Sequence, residues 1–288
     1  MCRILGYLGP PISPDQLVLN PEHSLLVQSY QPKEMKSAIL NGDGFGFGWY
    51  APDLAEKPFI YRNPLPMWND QNLPDLCRYV QTTSFLANVR SATTQMPVEL
   101  GNCQPFAYQQ MMFVHNGLIE NFYDTLYRPI REQLCDVAYR SIKGQTDSEH
   151  IFALLVHYLE THPGIDLADA LSKTTAHLAA MAQKAEVHIA MNIILSTGDR
   201  LVAVRFDNQK KAPSLYLLNS PSQFPRHYHS QFPHHFPKSV IFASEPLFQG
   251  DWQPYPEGEV ISIGSDLKIT THSTGHSIGH SIGHSTVT

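Results

Sequence analysis

Four short stretches of this 288-residue chain carry side chains that could do chemistry. Cys2 opens the run Cys2-Arg3-Ile4-Leu5-Gly6-Tyr7-Leu8. A small residue after the initiator favours removal of Met1, which leaves a thiol and a free α-amine on one residue. That amine, with a pKa of about 7.7–8.0, suits a general base near neutral pH. An N-terminal amine that activates its own side chain is an established route to covalent catalysis. The second stretch is Asn88-Val89-Arg90-Ser91-Ala92-Thr93, where Arg90 could grip a carboxylate through two parallel hydrogen bonds. The third is His115-Asn116-Gly117. Its Asn116 amide and Gly117 N–H could meet a developing oxyanion. The fourth is Thr146-Asp147-Ser148-Glu149, whose Asp147 could grip an ammonium. Arg90 and Asp147 together would hold an amino acid by its α-carboxylate and α-amine, with Cys2 attacking between them.

Each stretch also has a purely structural reading. Cys2 could be a small apolar residue that starts a buried strand. Arg90 could sit in an ion pair, Asn-Gly is a common turn dipeptide, and Thr146 or Asp147 suits a helix N-cap. The four become specific only as a set.

The elements that must position them follow from hydrophobic period and turn residues. Residues 2–8 read as a buried strand that Pro10, Pro11 and Pro14 end. Residues 22–30 suit a short helix. The segment 41–50 alternates glycine with aromatics, which suits a strand that other backbone or a ligand approaches closely. No helix pattern follows it, so it is not a dinucleotide loop. Residues 58–61 look like its hairpin partner. Helical patterns cover 70–80, about 120–134, 147–161 and 166–184. Strands are expected at 84–90, 111–115, 187–196, 201–206, 214–218, 239–244 and 259–263, with a hairpin turn at Thr197-Gly198-Asp199-Arg200. Strands, then helices, then strands indicate an α+β domain of two antiparallel sheets with helices packed outside. Residues 2–268 are expected to form it. Residues 220–237 read as a loop. The Gly-His-Ser repeat within 269–288 reads as a disordered tail.

Composition narrows the function. The chain is 42% apolar and 16% charged, with a formal net charge of -6, so it offers no basic surface for nucleic acid. It has no apolar run long enough to span a bilayer and no signal-peptide pattern. Four cysteines, Cys2, Cys77, Cys103 and Cys135, show no Cys-x-x-Cys pair, which argues against a disulfide framework or a cysteine zinc site. A cytoplasmic location is expected, where Cys2 stays a thiol.

The N-terminal Cys-Arg-x-Leu-Gly-Tyr-Leu-Gly, the Val-Arg-Ser-Ala-Thr run, the His-Asn-Gly-Leu-Ile run and the Thr-Asp-Ser-Glu run resemble the class II glutamine amidotransferase domain. That family belongs to the N-terminal nucleophile hydrolases. The branch most resembled is the stand-alone γ-glutamyl hydrolases of ergothioneine biosynthesis. Leu17-Val18-Leu19-Asn20-Pro21, Leu25–Tyr30, Asp43-Gly44-Phe45-Gly46, Met96-Pro97-Val98-Glu99 and Phe242-Ala243-Ser244-Glu245-Pro246 look like that branch. The resemblance covers about residues 2–265. It implies a four-layer αββα sandwich and a γ-glutamyl thioester on Cys2. It further implies Asn116 and Gly117 as the oxyanion hole, Arg90 helped by Thr93 on the substrate carboxylate, and Asp147 on its amine. It implies no metal and no organic cofactor. Two departures stand near the substrate mouth by this analogy. Ser91 and Thr94 replace the tryptophan and histidine of the amino-sugar enzymes, and Asn102-Cys103-Gln104-Pro105 replaces Asn-Ala-His-Pro.

The expected partner is a small γ-glutamyl substrate resembling a γ-glutamylcysteinyl conjugate of a betainised histidine, with no nucleic acid and no membrane. A homodimer or a synthase partner is left open. One alternative is a glutaminase subunit that supplies ammonia to a separate synthase. Another is a metal-binding protein using His272, His276, His280 and His284 with His227, His229, His234 and His235, since imidazole suits Zn, Ni and Cu.

Overall fold

The first strand alternates as a strand buried on both faces must. Ile4 and Leu8 point one way, Leu5 and Tyr7 the other, and all four are buried. The structure, a computed structural model, describes residues 2–35, 40–92, 97–219 and 238–273. In chain order the strands are β1 (Arg3–Ile12), β2 (Phe45–Trp49), β3 (Phe59–Asn63), β4 (Thr82–Val89), β5 (Phe106–Tyr108), β6 (Met111–Ile119), β7 (Ile189–Ser196), β8 (Leu201–Asp207), β9 (Tyr216–Leu218), β10 (Val240–Ala243), β11 (Gln253–Pro254), β12 (Glu259–Ile263) and β13 (Ile269–Ser273). The helices are α1 (Asp15–Val18), α2 (Leu25–Tyr30), α3 (Leu73–Tyr79), α4 (Tyr127–Arg131), α5 (Asp136–Ser141), α6 (Asp147–Thr161) and α7 (Leu167–Ala185).

Two antiparallel sheets result. One has the order β11-β9-β10-β1-β4-β2-β3 and the other β13-β12-β8-β7-β6-β5. Three apolar clusters define the layers. Leu5, Tyr7, Phe45, Phe47 and Phe85 pack outward on the first sheet with Leu17, Leu25 and Cys77 of α1 to α3. Phe113, Met191, Ile193 and Leu195 pack outward on the second with Ile151, Leu155, Leu171 and Leu178 of α6 and α7. Ile4, Leu86, Met112, Val114, Ile194 and Phe242 fill the space between the sheets. This is the expected αββα sandwich.

The glycines of β2 explain how closely the sheets approach. Phe45, Phe47 and Trp49 face the helices, so Gly46 and Gly48 face the second sheet. A Cβ on Gly46 would collide with the Gln104 carbonyl, and one on Gly48 with the Met112 sulfur. Polar pins cross the same gap. The Tyr50 hydroxyl donates to the carbonyls of Gln110 and Ser196, and Ser84 Oγ lies 2.8 Å from Ser196 Oγ.

The structure departs from the expected elements in several places. β1 runs through Pro10 and Pro11 to Ile12 instead of ending before them, since an outer stretch of strand can spare the N–H that proline lacks, and the short helix α1 was not expected. One helix was expected over 120–134. The chain instead turns at Asn121, in left-handed conformation with φ 47, and only Tyr127–Arg131 is helical, followed by the separate α5. The short strands β5 and β11 carry too few residues for a period to register. The tail was expected to begin at 269, yet Ile269–Ser273 pairs with β12 from Ile263↔Ile269 to Glu259↔Ser273. The folded part therefore runs five residues further than expected, because a strand needs only an open sheet edge beside it. Residues 220–237 and 274–288 lie outside the described residues. Among the described residues no helix is long and apolar enough to cross a membrane.

Gly46→Ala forces backbone apart rather than a flexible side-chain end. It is expected to lower unfolding free energy by about 1–3 kcal/mol, read from the urea midpoint. An unchanged midpoint would show that the Gln104 segment moves freely.

Candidate active site

Cys2 stands at the start of β1, which lies between β10 and β4. It is half-buried, and its sulfur lies 3.9 Å from the Ser91 carbonyl oxygen. Arg3 points to the opposite face, where it is 1% exposed. Its Nη1 donates to the Cys2 carbonyl at 2.9 Å, and its Nε to Glu245 Oε1 at 2.7 Å. Glu245 also faces His23 Nε2 at 2.7 Å and accepts from the backbone N–H groups of Lys33 and Glu34 at 2.8 and 3.1 Å. Burial alone would raise the Glu245 carboxyl. The bonds from His23 and the backbone, with the Arg3 charge, more than reverse that and hold it down at about 2.

The other three cysteines differ. Burial pushes the Cys77 thiol up to about 12. Burial also raises Cys103, against the pull of Arg90 and Arg62. Such thiols stay protonated and unreactive. Cys135 precedes α5, where its N–H donates to His157.

Arg90 follows the last residue of β4, Val89, which faces both Arg3 and Phe45 across the sheet. Arg90 is 4% exposed, and its Nη1 donates to the carbonyls of Asp43 and Pro97 at 3.1 and 3.3 Å. The Asp43-Gly44 turn locks this corner. The Asp43 N–H donates to the Arg90 carbonyl and the Arg90 N–H to the Gly44 carbonyl. Asp43 Oδ2 accepts from the Ala92 N–H at 2.7 Å. Gly44 has φ 110, and a Cβ there would press on the Cys103 sulfur. Thr93 lies outside the described residues.

Asn116 and Gly117 lie in β6. Asn116 shares the inward face with Met112 and Val114 and is fully buried. Among the described residues neither polar atom of its amide has a hydrogen-bond partner. Asn88, on the inner face of β4 opposite Ile4, is buried and unpartnered in the same way. A buried polar group without a partner costs about 1–3 kcal/mol, so such atoms mark places where something else completes the bonding. Gly117 must be glycine. It has φ 154, and a Cβ would run into the Ala190 carbonyl of β7. The backbone before it is clamped, because Gln104 Nε2 donates to the His115 carbonyl and Gln104 Oε1 accepts from the His115 N–H.

Asp147 begins α6. Thr146 caps the helix, its Oγ1 accepting from the Glu149 N–H at 3.2 Å. Asp147 Oδ2 accepts from the Ile119 N–H at 2.9 Å, and Oδ1 from the Ser148 N–H at 2.7 Å. Ser148 Oγ lies 2.8 Å from His115 Nδ1, tying α6 to the strand of Asn116. Burial keeps His115 below its ordinary value although Asp147 pulls the other way. Burial also lowers His150 to about 4, which fixes it as a neutral ring between the Thr146 carbonyl and Arg131 Nε.

Cys2 and Arg90 thus share adjacent strand ends, while Asn116, Gly117 and Asp147 are gathered along β6. The sequence reading had assigned no role to Glu245, His23, Asp43 or Asn88. Glu245 and Asp43 stood inside recognised runs, but only pairing across more than 40 residues reveals what they hold. Of the histidines weighed as metal ligands, His272 lies in β13 with Nδ1 3.5 Å from Asp169 Oδ1. The other seven lie outside the described residues. No group of three His, Cys, Asp or Glu able to hold a metal occurs among the described residues.

Comparison with known proteins gives a consistent result. The family described as glutamine amidotransferases class-II matches residues 20–277. Probable glutamine amidotransferase DUG3 of Saccharomyces cerevisiae is 30% identical over 294 residues, 91% of this chain and 82% of that protein. The γ-glutamyl-hercynylcysteine sulfoxide hydrolase of Mycobacterium tuberculosis is 31% identical over 225 residues, 77% of this chain and 85% of that one. Among solved structures, a glutamine aminotransferase class-II domain protein from Silicibacter pomeroyi superposes with TM-score 0.66 at 24% identity, covering 94% of this chain and 99% of that one.

The depressed Glu245 carboxyl makes a pH prediction. Its ordinary value is 4.5, so its stabilisation is present above about pH 4.5 and is lost as pH falls toward about 2. Wild type should lose about 3 kcal/mol more than Glu245→Gln between pH 6 and pH 2, read as unfolding free energies from urea titrations at each pH. Parallel curves for the two proteins would refute this.

Proposed function

The chain belongs to the class II glutamine amidotransferases, amidohydrolases of C–N bonds, and from that we propose that it is a γ-glutamyl hydrolase with Cys2 as its N-terminal nucleophile. The observation that carries the reading is the Asn116 amide, fully buried beside Gly117 with both polar atoms unpartnered among the described residues. A site that must receive an oxyanion keeps a donor in reserve, pre-oriented and dry.

With Met1 removed, the Cys2 thiol attacks the γ-carbonyl carbon and its proton passes to the α-amine. The carbonyl oxygen becomes an oxyanion, held by Asn116 Nδ2 and the Gly117 N–H. The C–N bond then breaks, and the leaving amine takes the proton back from the α-ammonium. A γ-glutamyl thioester remains on Cys2. Water, deprotonated by the same amine, attacks the thioester and releases glutamate and the thiol. Arg90, helped by Thr93, holds the substrate α-carboxylate, and Asp147 holds the α-ammonium. The backbone bonds to Asp147 and to Arg90 fix both grips before substrate arrives, which reduces the entropy lost on binding. No step calls for a metal or organic cofactor.

The substrate class proposed is a γ-glutamylcysteinyl conjugate like the one named for the Mycobacterium tuberculosis relative, with hydrolysis in the cytoplasm. The proposed catalytic domain begins at Cys2, and the Gly-His-Ser stretch after β13 takes no part in it.

Purified protein, its N-terminus verified by intact mass, should release glutamate from γ-glutamylcysteinyl-hercynine sulfoxide faster than from glutathione or glutamine. Cys2→Ala should abolish release. Asn116→Ala should lower kcat by about 10²–10³ with KM little changed. Release chiefly from glutamine would instead favour an ammonia-supplying subunit. Absence of release with a free Cys2 would sink the proposal.

A further inference from the structure

The register of the two sheets separates the two sides of the scissile bond. In the first sheet β1 lies between β4 and β10. Arg90 continues β4, so the glutamyl carboxylate belongs on the β4 side of Cys2. On the other side Leu5 faces Ala243 of β10, and Ala243 faces Tyr216 of β9. The segment 212–215, which leads into β9, therefore runs level with the start of β1. It is two strands away, about 10 Å.

The second sheet repeats this division. Asn116 of β6 faces Asn192 of β7, which faces Arg205 of β8. Asn192 Nδ2 donates to the carbonyls of Pro213 and Ser214 at 3.0 and 2.9 Å. Arg205 donates to those of Pro213, Tyr255 and Ala212 at 2.8, 3.0 and 3.0 Å. The strand neighbour of Asn116 thus holds the floor of a cavity of about 440 Å³, lined by Lys33, Glu34, Lys211, Pro213, Ser214 and Tyr216 with Arg205. Its rim is tied to Arg3, the residue after Cys2, since the N–H groups of Lys33 and Glu34 bind the Glu245 that holds it.

The cavity's charge is one-sided. Among the described residues of the lining, Lys33, Arg205 and Lys211 bring three cations, and Glu34 is the one carboxylate. The Tyr216 hydroxyl donates to that carboxylate at 2.9 and 3.1 Å. Lys33 and Lys211 are exposed at the rim. Ser214 Oγ is buried without a hydrogen-bond partner among the described residues.

A γ-glutamyl amide gripped by Arg90 and Asp147 fills the side of β4 and β6. The side of Cys2 left for its amine portion is that of β10, β9, β7 and β8, the side on which this cavity is lined by Arg205 of β8 and Tyr216 of β9. We infer that the cavity is the leaving-group subsite, selecting γ-glutamyl peptides whose leaving amine carries a carboxylate, bound by Lys33 and Lys211. Two extended residues reach about 7 Å, and a lysine side chain spans the remainder, so a dipeptide leaving group fits. The inference rests on the γ-glutamyl reading above.

The test uses the full chain with γ-glutamylalanylglycine and its C-terminal carboxamide, which differ in that one charge, and glutamine alongside. Wild type should show a kcat/KM about tenfold higher for the acid, expressed in KM. The double variant Lys33→Met, Lys211→Met should bring the ratio near one by raising KM for the acid. A ratio near one in wild type overturns this inference and leaves the γ-glutamyl reading standing, as does a double variant that keeps the preference. No glutamate from any of the three substrates, with Cys2 verified free, overturns both.

Discussion

The buried pair of Arg3 and Glu245 is the constraint on which the candidate site depends. A chain terminus ordinarily frays, because it has neighbours on one side only. Cys2, the proposed nucleophile, needs an anchor as close to it as the chain allows. Arg3 is that anchor, one residue away, with its guanidinium on the Cys2 carbonyl and on Glu245. Burying such a pair is costly unless its remaining valences are met. Here His23 and two backbone N–H groups meet those of the carboxylate. The site is assembled outward from this point, through β4 to Arg90 and across the gap to β6.

β6 shows how the same strand carries partnered polar groups on one face and unpartnered ones on the other. His115 points outward, and its ring Nδ1 and its backbone both have partners in Ser148 and Gln104. Asn116, the next residue, points inward and its amide has none among the described residues. The unmet bonds of Asn116 are tolerable because Gln104 and α6 hold the strand on either side of it. Gly46 has a part in this at a distance, since only a residue without a side chain lets the Gln104 segment lie against β2.

Much of this was legible in the sequence, and the reasons are specific. The strands around Cys2, Arg90 and Asn116 are apolar runs ended by polar residues, so both the strands and the residues at their ends stood out. Two antiparallel sheets with helices outside followed from element order, and the four-layer αββα form from the family resemblance. The region 120–134 misled because its apolar spacing is helical, while the left-handed Asn121 ends any helix there. The Glu245 network and the Asn192 contact to the segment before β9 were not legible. Each joins residues that the chain separates widely and that only sheet register brings together. Asn88 was visible but mute, since a buried asparagine declares itself only when its partners can be counted.

The direction of β13 has a practical consequence. Ser273 faces Glu259, and the neighbouring Val260 faces Val204, one residue from the Arg205 that lines the cationic cavity. The described chain therefore leaves the sandwich at the end where Cys2 begins it. A dye, bead or affinity handle joined after Ser273 would be tethered beside the cationic cavity, and one joined before Cys2 would cap the proposed nucleophile. Immobilisation through an engineered surface residue at the opposite end, near the turn Thr197–Arg200 that joins β7 to β8, would leave both Cys2 and the cavity clear.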